Sequence, residues 1–475
     1  MYNVKSAHAA DFINHEEILD TLQWAREHKS DRSLVEKLLE RAKDCKGLTH
    51  REAAVLLECD LPDLNRRMSD VAQTIKRKLY GNRIVLFAPL YLSNYCVNGC
   101  TYCPYHAVNK HIPRKKLTQD EIRKEVTALQ DMGHKRLALE AGEHPTMNPI
   151  EYVLESIDTI YSIKHKNGAI RRVNVNIAAT TVSEYKMLKD AGIGTYILFQ
   201  ETYNKEAYER LHPTGPKSNY AWHTEAMDRA MDGGIDDVGC GVLFGLNLYR
   251  YDFVGLLMHA EHLEAAKGVG PHTISVPRIR PADDIDPAAF SNAIDDETFA
   301  KIVTVIRIAV PYTGMIVSTR ESRQTREKIL QLGVSQISGG SRTSVGGYAE
   351  DVRSGDSEND TAQFDVNDTR SLDEIVRWLL QLNYVPSFCT ACYRAGRTGD
   401  RFMALVKSGQ IANCCHPNAL MTLKEYLEDY ALPETKLWGE RCIRNELPHI
   451  PDPKIRAAAQ RHLQEEENGQ RDFRF

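Results

Sequence analysis

Residues 83–105 read RIVLFAPLYLSNYCVNGCTYCPY, an apolar strand candidate (83–89) that leads into a cysteine-rich loop. The loop contains three cysteines in a C-x3-C-x2-C spacing, Cys96, Cys100 and Cys103. Three thiolates can bind three irons of a 4Fe–4S cluster, and the fourth iron is then left without a protein ligand. An open coordination position is typical of a metal site that binds a further molecule. The alternatives are a zinc knuckle completed by His106 and a set of buried free thiols.

Further strand candidates follow the first one, and helical segments separate them. In chain order the eight candidates cover residues 83–89, 136–141, 172–178, 195–200, 237–244, 272–277, 314–319 and 334–339. Residues 117–133 form one of the intervening helices, with Thr118 and Glu121 as a capping box and Gly133 at its end. This alternation predicts an α/β fold, a complete (β/α)8 TIM-type barrel with functional groups at the C-terminal ends of its strands.

The patterning divides the chain into four segments. They are a helical N-terminal extension (1–80), the barrel (81–350), a polar linker or loop (351–370) and a helical C-terminal domain that would carry a second cluster (371–475). The two helical segments are predicted from apolar residues that recur at three- and four-residue steps. The linker is rich in acidic residues and serine, which indicates a mobile loop or a solvated connector.

The composition limits the classes of function. The 475 residues have a formal net charge of -5 and a pI near 6.4, which gives no basic surface for nucleic acid. No stretch approaches the roughly 18 apolar residues of a membrane helix, and the first residues lack the apolar core of a signal peptide. The 11 cysteines are therefore expected to be metal ligands rather than disulfides. A reducing, low-oxygen cytoplasm suits a cluster that oxygen would destroy.

A second set of cysteines lies near the C-terminus. Cys389 and Cys392 form a C-x2-C pair, and Cys415 follows later. These three could bind three irons of a second cluster, or they could form a four-ligand zinc site with Cys414, beside His416. Spacing leaves both interpretations open, although adjacent cysteines rarely bind one tetrahedral ion together. Four neighbouring cations could lower the thiol pKa values or form a solvated face: Arg394, Arg397, Arg401 and Lys407.

The combination of the two cysteine sets resembles the HydG family of FeFe-hydrogenase maturases. Five segments are also similar to that family: RRVNVNIAATT (171–181), LFQETY (198–203), GPHTISVPR (270–278), GMIVSTRE (314–321) and CTACYRAGRTGDRFM (389–403). The resemblance therefore covers nearly the whole chain. The barrel alone also resembles 2-iminoacetate synthase of thiamine synthesis, but the second cysteine set separates the two families and favours HydG.

The resemblance implies a radical S-adenosylmethionine (SAM) enzyme that acts as a tyrosine lyase. Reduction of the first cluster would cleave SAM to a 5'-deoxyadenosyl radical, which would take a hydrogen atom from the amino group of L-tyrosine. The Cα–Cβ bond would then break to give p-cresol and dehydroglycine. Dehydroglycine would break down to carbon monoxide and cyanide, and both would be captured in an Fe(CO)2(CN)-cysteine unit for the H-cluster of FeFe-hydrogenase.

The cofactors that the resemblance implies are SAM and two 4Fe–4S clusters. The cluster held by Cys96, Cys100 and Cys103 would bind SAM. The auxiliary cluster would carry an additional iron with a bound L-cysteine, and its implied protein ligands are Cys389, Cys392 and Cys415. His272 would bind the additional iron from the end of the sixth strand.

The resemblance also implies which residues contact SAM. Tyr102 precedes the third cysteine of the loop. The turn Ala141, Gly142 and Glu143 stands where the superfamily carries a Gly-Gly-Glu-like turn whose carbonyls accept hydrogen bonds from the SAM amino group. Glu201, at the end of the fourth strand, matches a further SAM-contacting position.

The implied substrate site consists of Tyr91, Arg320 and Ser338. The Arg320 guanidinium, at the end of the seventh strand, could bind the tyrosine carboxylate through two parallel hydrogen bonds. Ser338, at the end of the eighth strand, could add another bond. Arg278 and Arg280 are further cations of the barrel, and such residues often pair with neighbouring acids instead.

The expected partners are small molecules and proteins of the same pathway. They are L-tyrosine, SAM, L-cysteine, an electron donor such as a ferredoxin or flavodoxin, and other hydrogenase maturases downstream; no nucleic acid and no membrane is expected. Two alternative functions remain at this stage. One is a 2-iminoacetate synthase with a structural metal tail, and the other is a non-enzymatic iron–sulfur scaffold or carrier.

Overall fold

The computed structural model describes residues 1–350 and 361–475. Its centre is a closed barrel of parallel strands, in which sequential strands pair and the eighth pairs with the first. The barrel strands are β1 Arg83–Ser93, β2 Arg136–Ala141, β3 Arg172–Asn176, β4 Tyr196–Glu201, β5 Val238–Val242, β6 Thr273–Ser275, β7 Gly314–Val317 and β8 Gln336–Ser338. The predicted TIM-type barrel is therefore confirmed.

The eight strands coincide with the eight candidates, with differences at their ends. β1 continues past the predicted residue 89 because Leu90 and Tyr91 still pair with β2. The strands are buried almost throughout, as parallel strands are when helices cover the outer face of the sheet. This burial explains why the strands read as continuous apolar runs rather than as alternating patterns.

Five helices precede the barrel. They are Ala9–Phe12, His15–Glu27, Arg32–Ala42, His50–Glu58 and Pro62–Tyr80. The apolar stripes of the last two pack against the barrel helices Tyr249–Lys267 and Asp296–Ala309. The N-terminal helices therefore extend the hydrophobic core outward from the helical layer of the barrel.

The helices between the strands complete the barrel. They are Gln119–Asp131, Ile150–Ser162, Val182–Asp190, Lys205–Leu211, Tyr220–Thr224, Ala226–Asp232, Tyr249–Lys267, Asp296–Ala309, Arg323–Leu332 and Gly347–Glu350, with 3-10 turns at Pro216–Ser218 and Pro287–Ala289 and a hairpin of Lys164–His165 with Gly168–Ala169. The capping box of Thr118 and Glu121 forms as predicted. Gly133 follows this helix with a φ of 97°, a left-handed conformation that favours glycine.

The C-terminal part adds one strand and several helices. The helices are Leu372–Gln381, Ala391–Arg394, Gly399–Lys407, Ala412–Asp429, Pro433–Glu446 and Pro453–Glu467, with a 3-10 turn at Leu447–His449. The strand, β9 (Val385–Ser387), was not predicted, and it pairs in parallel with the first three residues of β1. It ties the C-terminal helices to the N-terminal end of the barrel. Among the described helices, none has the length and apolar character needed to cross a bilayer.

The polar segment predicted as a linker differs from that expectation where it can be described. Residues 351–360 lie outside the described residues. In the following residues, Ala362, Phe364 and Asp368 are buried. The backbone N–H of Gln363 donates to the Thr343 carbonyl at 3.1 Å. Ala362 and Phe364 therefore pack over the C-terminal end of the barrel, whereas Asp365 and Asn367 in the same segment are exposed.

Candidate functional site

The two predicted cysteine sets lie in cavities at opposite ends of the barrel. The upper cavity, about 150 Å³ at the C-terminal ends of the strands, is lined by the first set, Cys96, Cys100 and Cys103. A chamber of about 90 Å³, lined by Tyr91 and Ser338, adjoins it. The lower cavity, about 80 Å³ at the N-terminal ends, is lined by the second set, Cys389, Cys392 and Cys415. Both cysteine sets thus come together in space as the sequence predicted.

The cysteine loop of the upper cavity is held by the turn after β2. The backbone N–H of Val97 donates to the Glu143 carbonyl at 2.8 Å, and Asn98 Nδ2 donates to Glu143 Oε2 at 2.6 Å. On its other side, Gly99 N–H donates to the Thr214 carbonyl at 3.0 Å. These hydrogen bonds fix the loop at several points without a contribution from a cofactor.

Gly142 is required by the close approach of the cysteine loop to this turn. A Cβ at this position would lie 2.4 Å from the Tyr95 carbonyl oxygen and 3.0 Å from Cys96 Cβ. The preceding residue is Ala141, and it also lines the upper cavity. The glycine that this turn needs for packing is therefore present, although the first glycine of the superfamily pattern is replaced.

Glu201 and Tyr102 lie at the wall of the upper cavity. Glu201 ends β4 and has a φ of 68°, an unusual conformation for a residue with a side chain. Such strain tends to occur at functional sites. Glu201 Oε1 forms an ion pair with Lys217 Nζ at 2.9 Å. The Tyr102 hydroxyl lies 2.7 Å from His212 Nε2, so it already has a hydrogen-bond partner.

The three predicted substrate residues surround the chamber. The Tyr91 hydroxyl donates to Gln363 Oε1 at 2.9 Å. The Arg320 guanidinium lies 3.6 Å above the Phe364 ring and faces both the upper cavity and the chamber, and burial lowers its pKa. Ser338 Oγ accepts a hydrogen bond from the backbone N–H of Thr319 at 3.2 Å, although its hydroxyl hydrogen is not used by that bond.

Glu140 is a site residue that the sequence analysis missed. It lines both the upper cavity and the chamber, and its Oε2 accepts a hydrogen bond from Asn176 Nδ2 at 2.7 Å. Burial raises its pKa to about 8, against the opposing influence of Arg320 and Asn176. The signal that could have identified it is the one acidic residue of the strand RLALEA, flanked by the apolar residues Leu139 and Ala141.

Arg278 and Arg280 form ion pairs with the same acid. Arg278 contacts Glu321 and Asp296, and Arg280 Nη2 lies 2.6 Å from Glu321 Oε2. Arg280 also borders the upper cavity. Their pairing with neighbouring acids agrees with the structural role considered for them.

In the lower cavity, the structure separates the two adjacent cysteines. Within the described residues, Cys415 lines the cavity but Cys414 does not. The Cys414 sulfur accepts a long hydrogen bond from Arg397 Nη1 at 3.7 Å. A hydrogen bond from Cys392 lowers the pKa of the Cys415 thiol despite its burial. The geometry thus favours Cys415 as the third member of the set.

The cations around the lower cavity differ from the predicted ones. Arg83, Arg136 and Arg172, at the starts of β1, β2 and β3, line it. Of the four cations named from the sequence, two have partners elsewhere: Arg394 pairs with Asp472, and Lys407 pairs with Glu264.

The remaining two of those four cations also lie outside the cavity wall. Arg401 is exposed, whereas the Arg397 guanidinium donates to the Cys414 sulfur at 3.7 Å and also hydrogen-bonds Cys392, where it opposes the rise in the pKa of that thiol. Of the four cations, Arg397 therefore acts on a thiol of the set, while the other three are exposed, as a solvated face would be. The other cations beside the sulfurs come from the starts of the barrel strands.

His272 lines the lower cavity with the three cysteines, but its position in the strand differs from the prediction. It directly precedes β6, so it lies at the start of the sixth strand and not at its end. Its Nε2 is 3.1 Å from the Tyr393 hydroxyl, and its Nδ1 is 3.3 Å from Asp237 Oδ1. This placement brings His272 to the same end of the barrel as the second cysteine set, the end at which the strands begin.

Comparisons with known proteins agree with this architecture. Residues 90–257 match the radical SAM superfamily, and residues 275–385 match the biotin and thiamin synthesis associated domain. The chain is 30% identical to 2-iminoacetate synthase of Escherichia coli K12 over 76% of this chain and 93% of the relative.

Two crystal structures of HydG, a maturase of the [FeFe]-hydrogenase, resemble the chain along nearly its whole length. One is 55% identical, covers 98% of this chain and 100% of its own, and superposes with a TM-score of 0.94. The chain belongs to the HydG family. The other structure, from Carboxydothermus hydrogenoformans, is 38% identical with a TM-score of 0.82, and it covers 96% of this chain and 99% of its own. The similarity to HydG therefore includes both ends of the barrel and the C-terminal helices.

Membership of this radical SAM family implies SAM and a 4Fe–4S cluster, and the upper cavity suits them. Three thiols line it, together with Glu201, Lys217 and the turn Ala141–Glu143. Among the described residues, no three Cys, His, Asp or Glu side chains are close enough to hold a single metal ion. A cluster spaces its thiolates more widely, because each binds a different iron.

Proposed function

We propose that this HydG-family enzyme is a radical SAM tyrosine lyase. It cleaves the Cα–Cβ bond of L-tyrosine to p-cresol and dehydroglycine, and converts the latter to carbon monoxide and cyanide for H-cluster assembly. The observation that carries the proposal is the pair of three-cysteine cavities at opposite ends of one barrel. The 2-iminoacetate synthase relative supports lyase chemistry, and the HydG structures support a role in hydrogenase maturation.

The upper cavity is proposed to hold the SAM-binding cluster on Cys96, Cys100 and Cys103. When bound and reduced, the cluster and SAM supply a 5'-deoxyadenosyl radical. The carbonyls of the Ala141–Glu143 turn and the Glu201 carboxylate, with Tyr102 beside them, would orient SAM. Lys217 already neutralises Glu201 across 2.9 Å, which limits the cost of burying that charge.

The chamber beside the upper cavity is proposed to bind L-tyrosine. Arg320 would hold the substrate carboxylate, since a guanidinium can donate two parallel hydrogen bonds to it. The Phe364 ring, 3.6 Å from the guanidinium carbon, packs against it and limits its movement. Ser338 and Tyr91 line the same chamber and supply hydroxyl groups. Walls that exclude water also protect reactive species.

Glu140 is proposed to take a proton from the substrate ammonium group. Its carboxyl group faces the cavity and the chamber at once, so it lies where the reacting end of tyrosine would be placed. Burial raises its pKa to about 8, which brings it close to the operating pH of a general base. Asn176 holds the carboxylate orientation through its 2.7 Å hydrogen bond.

The lower cavity is proposed to hold the auxiliary cluster on Cys389, Cys392 and Cys415. The additional iron with its bound L-cysteine is cargo, since it leaves with the carbon monoxide and cyanide, and His272 would bind it. Three arginines line this cavity and would offset the negative charge of a thiolate-bound cluster: Arg83, Arg136 and Arg172. Electrons would come from a ferredoxin or flavodoxin, and other cytoplasmic maturases would receive the product.

Product analysis of the reduced, cluster-loaded protein with SAM and L-tyrosine tests the proposal. The wild type is expected to form 5'-deoxyadenosine, p-cresol, carbon monoxide and cyanide. The double variant Cys389→Ser with Cys392→Ser is expected to keep p-cresol formation and to lose carbon monoxide. Undiminished carbon monoxide in that variant would refute the maturase role. A 2-iminoacetate synthase would form p-cresol with little carbon monoxide in either protein, and a scaffold would form no 5'-deoxyadenosine.

A further inference from the structure

The ring of His272 is held from two sides in the lower cavity. Its Nε2 lies 3.1 Å from the Tyr393 hydroxyl, and its Nδ1 lies 3.3 Å from Asp237 Oδ1. The two contacts differ in quality. The Nδ1 contact falls short of hydrogen-bond geometry, and among the described residues Nδ1 and Asp237 Oδ2 are buried polar atoms without a hydrogen-bond partner.

Asp237 is itself fixed in place. It directly precedes β5 and is 2% exposed, and its Oδ1 accepts the backbone N–H of Gly399 at 3.0 Å. A buried carboxylate facing one ring nitrogen is the usual arrangement behind a metal-binding histidine, because it keeps the hydrogen on that nitrogen and frees the other for the metal. Here the nitrogen left free for a metal is Nε2, and the Tyr393 hydroxyl is hydrogen-bonded to it.

Tyr393 is attached to the wall of the cavity by its ring and to His272 by its hydroxyl. The Arg172 guanidinium lies 3.2 Å from the centre of the Tyr393 ring. The hydroxyl also lies 3.2 Å from Thr195 Oγ1, so it has a second partner when it leaves His272. Tyr393 also lines a polar surface cavity of about 670 Å³ with Asp236 and Arg394, which gives the side chain space to move.

We propose that Asp237 is the positioning residue for His272, and that the Tyr393 hydroxyl holds the iron-binding position on His272 Nε2 until the additional iron arrives. This inference rests on the proposed function of the lower cavity. On iron binding, the Nε2 lone pair passes from the Tyr393 O–H hydrogen bond to the metal. The phenol keeps its proton and remains with Thr195. A small rotation of the released ring aligns Nδ1–H with Asp237, and no proton or electron leaves the site.

Iron titration of the full-length, cluster-loaded protein tests this inference. Ferrous iron is added in the presence of L-cysteine, and the additional iron is measured by iron content and by the EPR spectrum of the auxiliary cluster. The variant Asp237→Asn keeps the shape of the side chain but not its charge. Its Kd for the additional iron is expected to rise by about 10- to 100-fold, as for other residues behind a metal ligand, while the four-iron cluster remains.

The neighbouring acid provides a matched control. Asp236 is exposed, pairs with Lys189 Nζ at 2.8 Å and accepts from Thr398 Oγ1 at 2.7 Å, so Asp236→Asn is expected to bind iron as the wild type does. A wild-type Kd in Asp237→Asn would overturn the positioning role. Absence of additional iron from the wild type itself would overturn the proposed function together with this inference, so the two failures are distinguishable.

A second variant keeps the inference open to refutation if Asp237→Asn does not fold. Tyr393→Phe removes the competing hydroxyl and keeps the ring against Arg172. It is expected to bind the additional iron more tightly than the wild type, an effect opposite to that of Asp237→Asn. A purely structural role for Tyr393 predicts no gain in affinity. Weaker iron binding in Tyr393→Phe would therefore overturn the proposed displacement.

Discussion

The upper cavity takes its three cysteines from one loop, whereas the lower cavity takes them from two segments that meet only in the folded chain. Cys96, Cys100 and Cys103 follow β1 directly. Cys389 and Cys392 follow β9, and Cys415 lies in the helix Ala412–Asp429. The first site is thus nearly complete in local sequence, and the second depends on the docking of the C-terminal helices.

The charges at the two ends also differ. Acids and cations both line the upper cavity, including Glu140, Glu201, Lys217 and Arg320. Among the described residues, arginines line the lower cavity beside the sulfurs, and no Asp or Glu does. Mixed charges suit a zwitterionic ligand such as SAM, while a cationic wall suits a cluster whose anionic thiolates need compensation. This difference in charge is the one expected if the upper end binds an exchangeable ligand and the lower end holds a resident anion, as proposed.

The largest expected effect is the loss of all products when a cysteine of the upper cavity is replaced. Cys100→Ser removes a sulfur from the upper cavity, so 5'-deoxyadenosine, p-cresol and carbon monoxide should all fall to the uncatalysed background. The lower cluster should remain, because none of its ligands is changed. Product analysis together with EPR measures both outcomes. Carbon monoxide formation without 5'-deoxyadenosine would break the proposed order of the two sites.

The next effect concerns the lower end alone. Cys415→Ser removes a proposed cluster ligand, so carbon monoxide and cyanide formation is expected to fall by about 100-fold or more, beyond the roughly 10- to 100-fold loss typical of a residue behind a ligand. p-Cresol should stay near the wild-type level. The adjacent Cys414→Ser is the matched control, since Cys415 lines the cavity and Cys414 does not. Equal losses in both variants would contradict the choice of Cys415.

A steric change at the upper end should have a smaller effect. In Gly142→Ala, the new Cβ would meet the Tyr95 carbonyl at 2.4 Å, so the cysteine loop must shift. Overpacking of this kind costs about 1–3 kcal/mol, and SAM affinity should fall with it. Equilibrium binding of SAM and thermal unfolding measure the two effects.

A glycine far from both cavities serves as the control for this variant. Gly268 has a φ of 79°, and a Cβ added there would have no atom of a neighbouring residue within 4 Å, so Gly268→Ala introduces strain without a clash. It should lose about 1 kcal/mol of stability from the left-handed backbone alone. Its SAM affinity should equal that of the wild type. A loss of SAM affinity in both variants would mean that the Gly142 effect is one of general stability.

The smallest effect is a change in pH dependence. A base works in its deprotonated form, so kcat/KM for tyrosine should rise with pH up to the Glu140 pKa of about 8 and then level off. Glu140→Gln should lower the rate and remove this limb. The formation of 5'-deoxyadenosine without tyrosine is the control, because it needs no proton from the substrate. A limb that persists in Glu140→Gln would assign the titration to another group.

The sequence predicted those parts of the molecule that local patterns determine. The strands of the barrel could be identified because each apolar run is long enough to be recognised by itself. The capping box could be identified because Thr118 and Glu121 are only three residues apart. The cysteine loop was recognised for the same reason. All of these features depend on residues a few positions apart.

The features that were missed depend on contacts between distant segments. β9 has only three residues and gains its partners by pairing with Arg83–Val85. Gln363 lies in a polar segment, but it reaches the chamber through its bond to Tyr91. Asp237 can be linked to His272 only when β5 and β6 are placed side by side. No composition or periodicity within one segment contains this information.

The pairing of β9 with the start of β1 has a consequence for the order in which the enzyme is made. A ribosome releases Arg83 about 300 residues before Val385, and domains begin to fold during synthesis. The upper thiols are complete once Cys103 has emerged, but the lower thiols are complete only after Cys415. We therefore expect nascent chains that end before Val385 to accept one cluster, and only finished chains to accept the second.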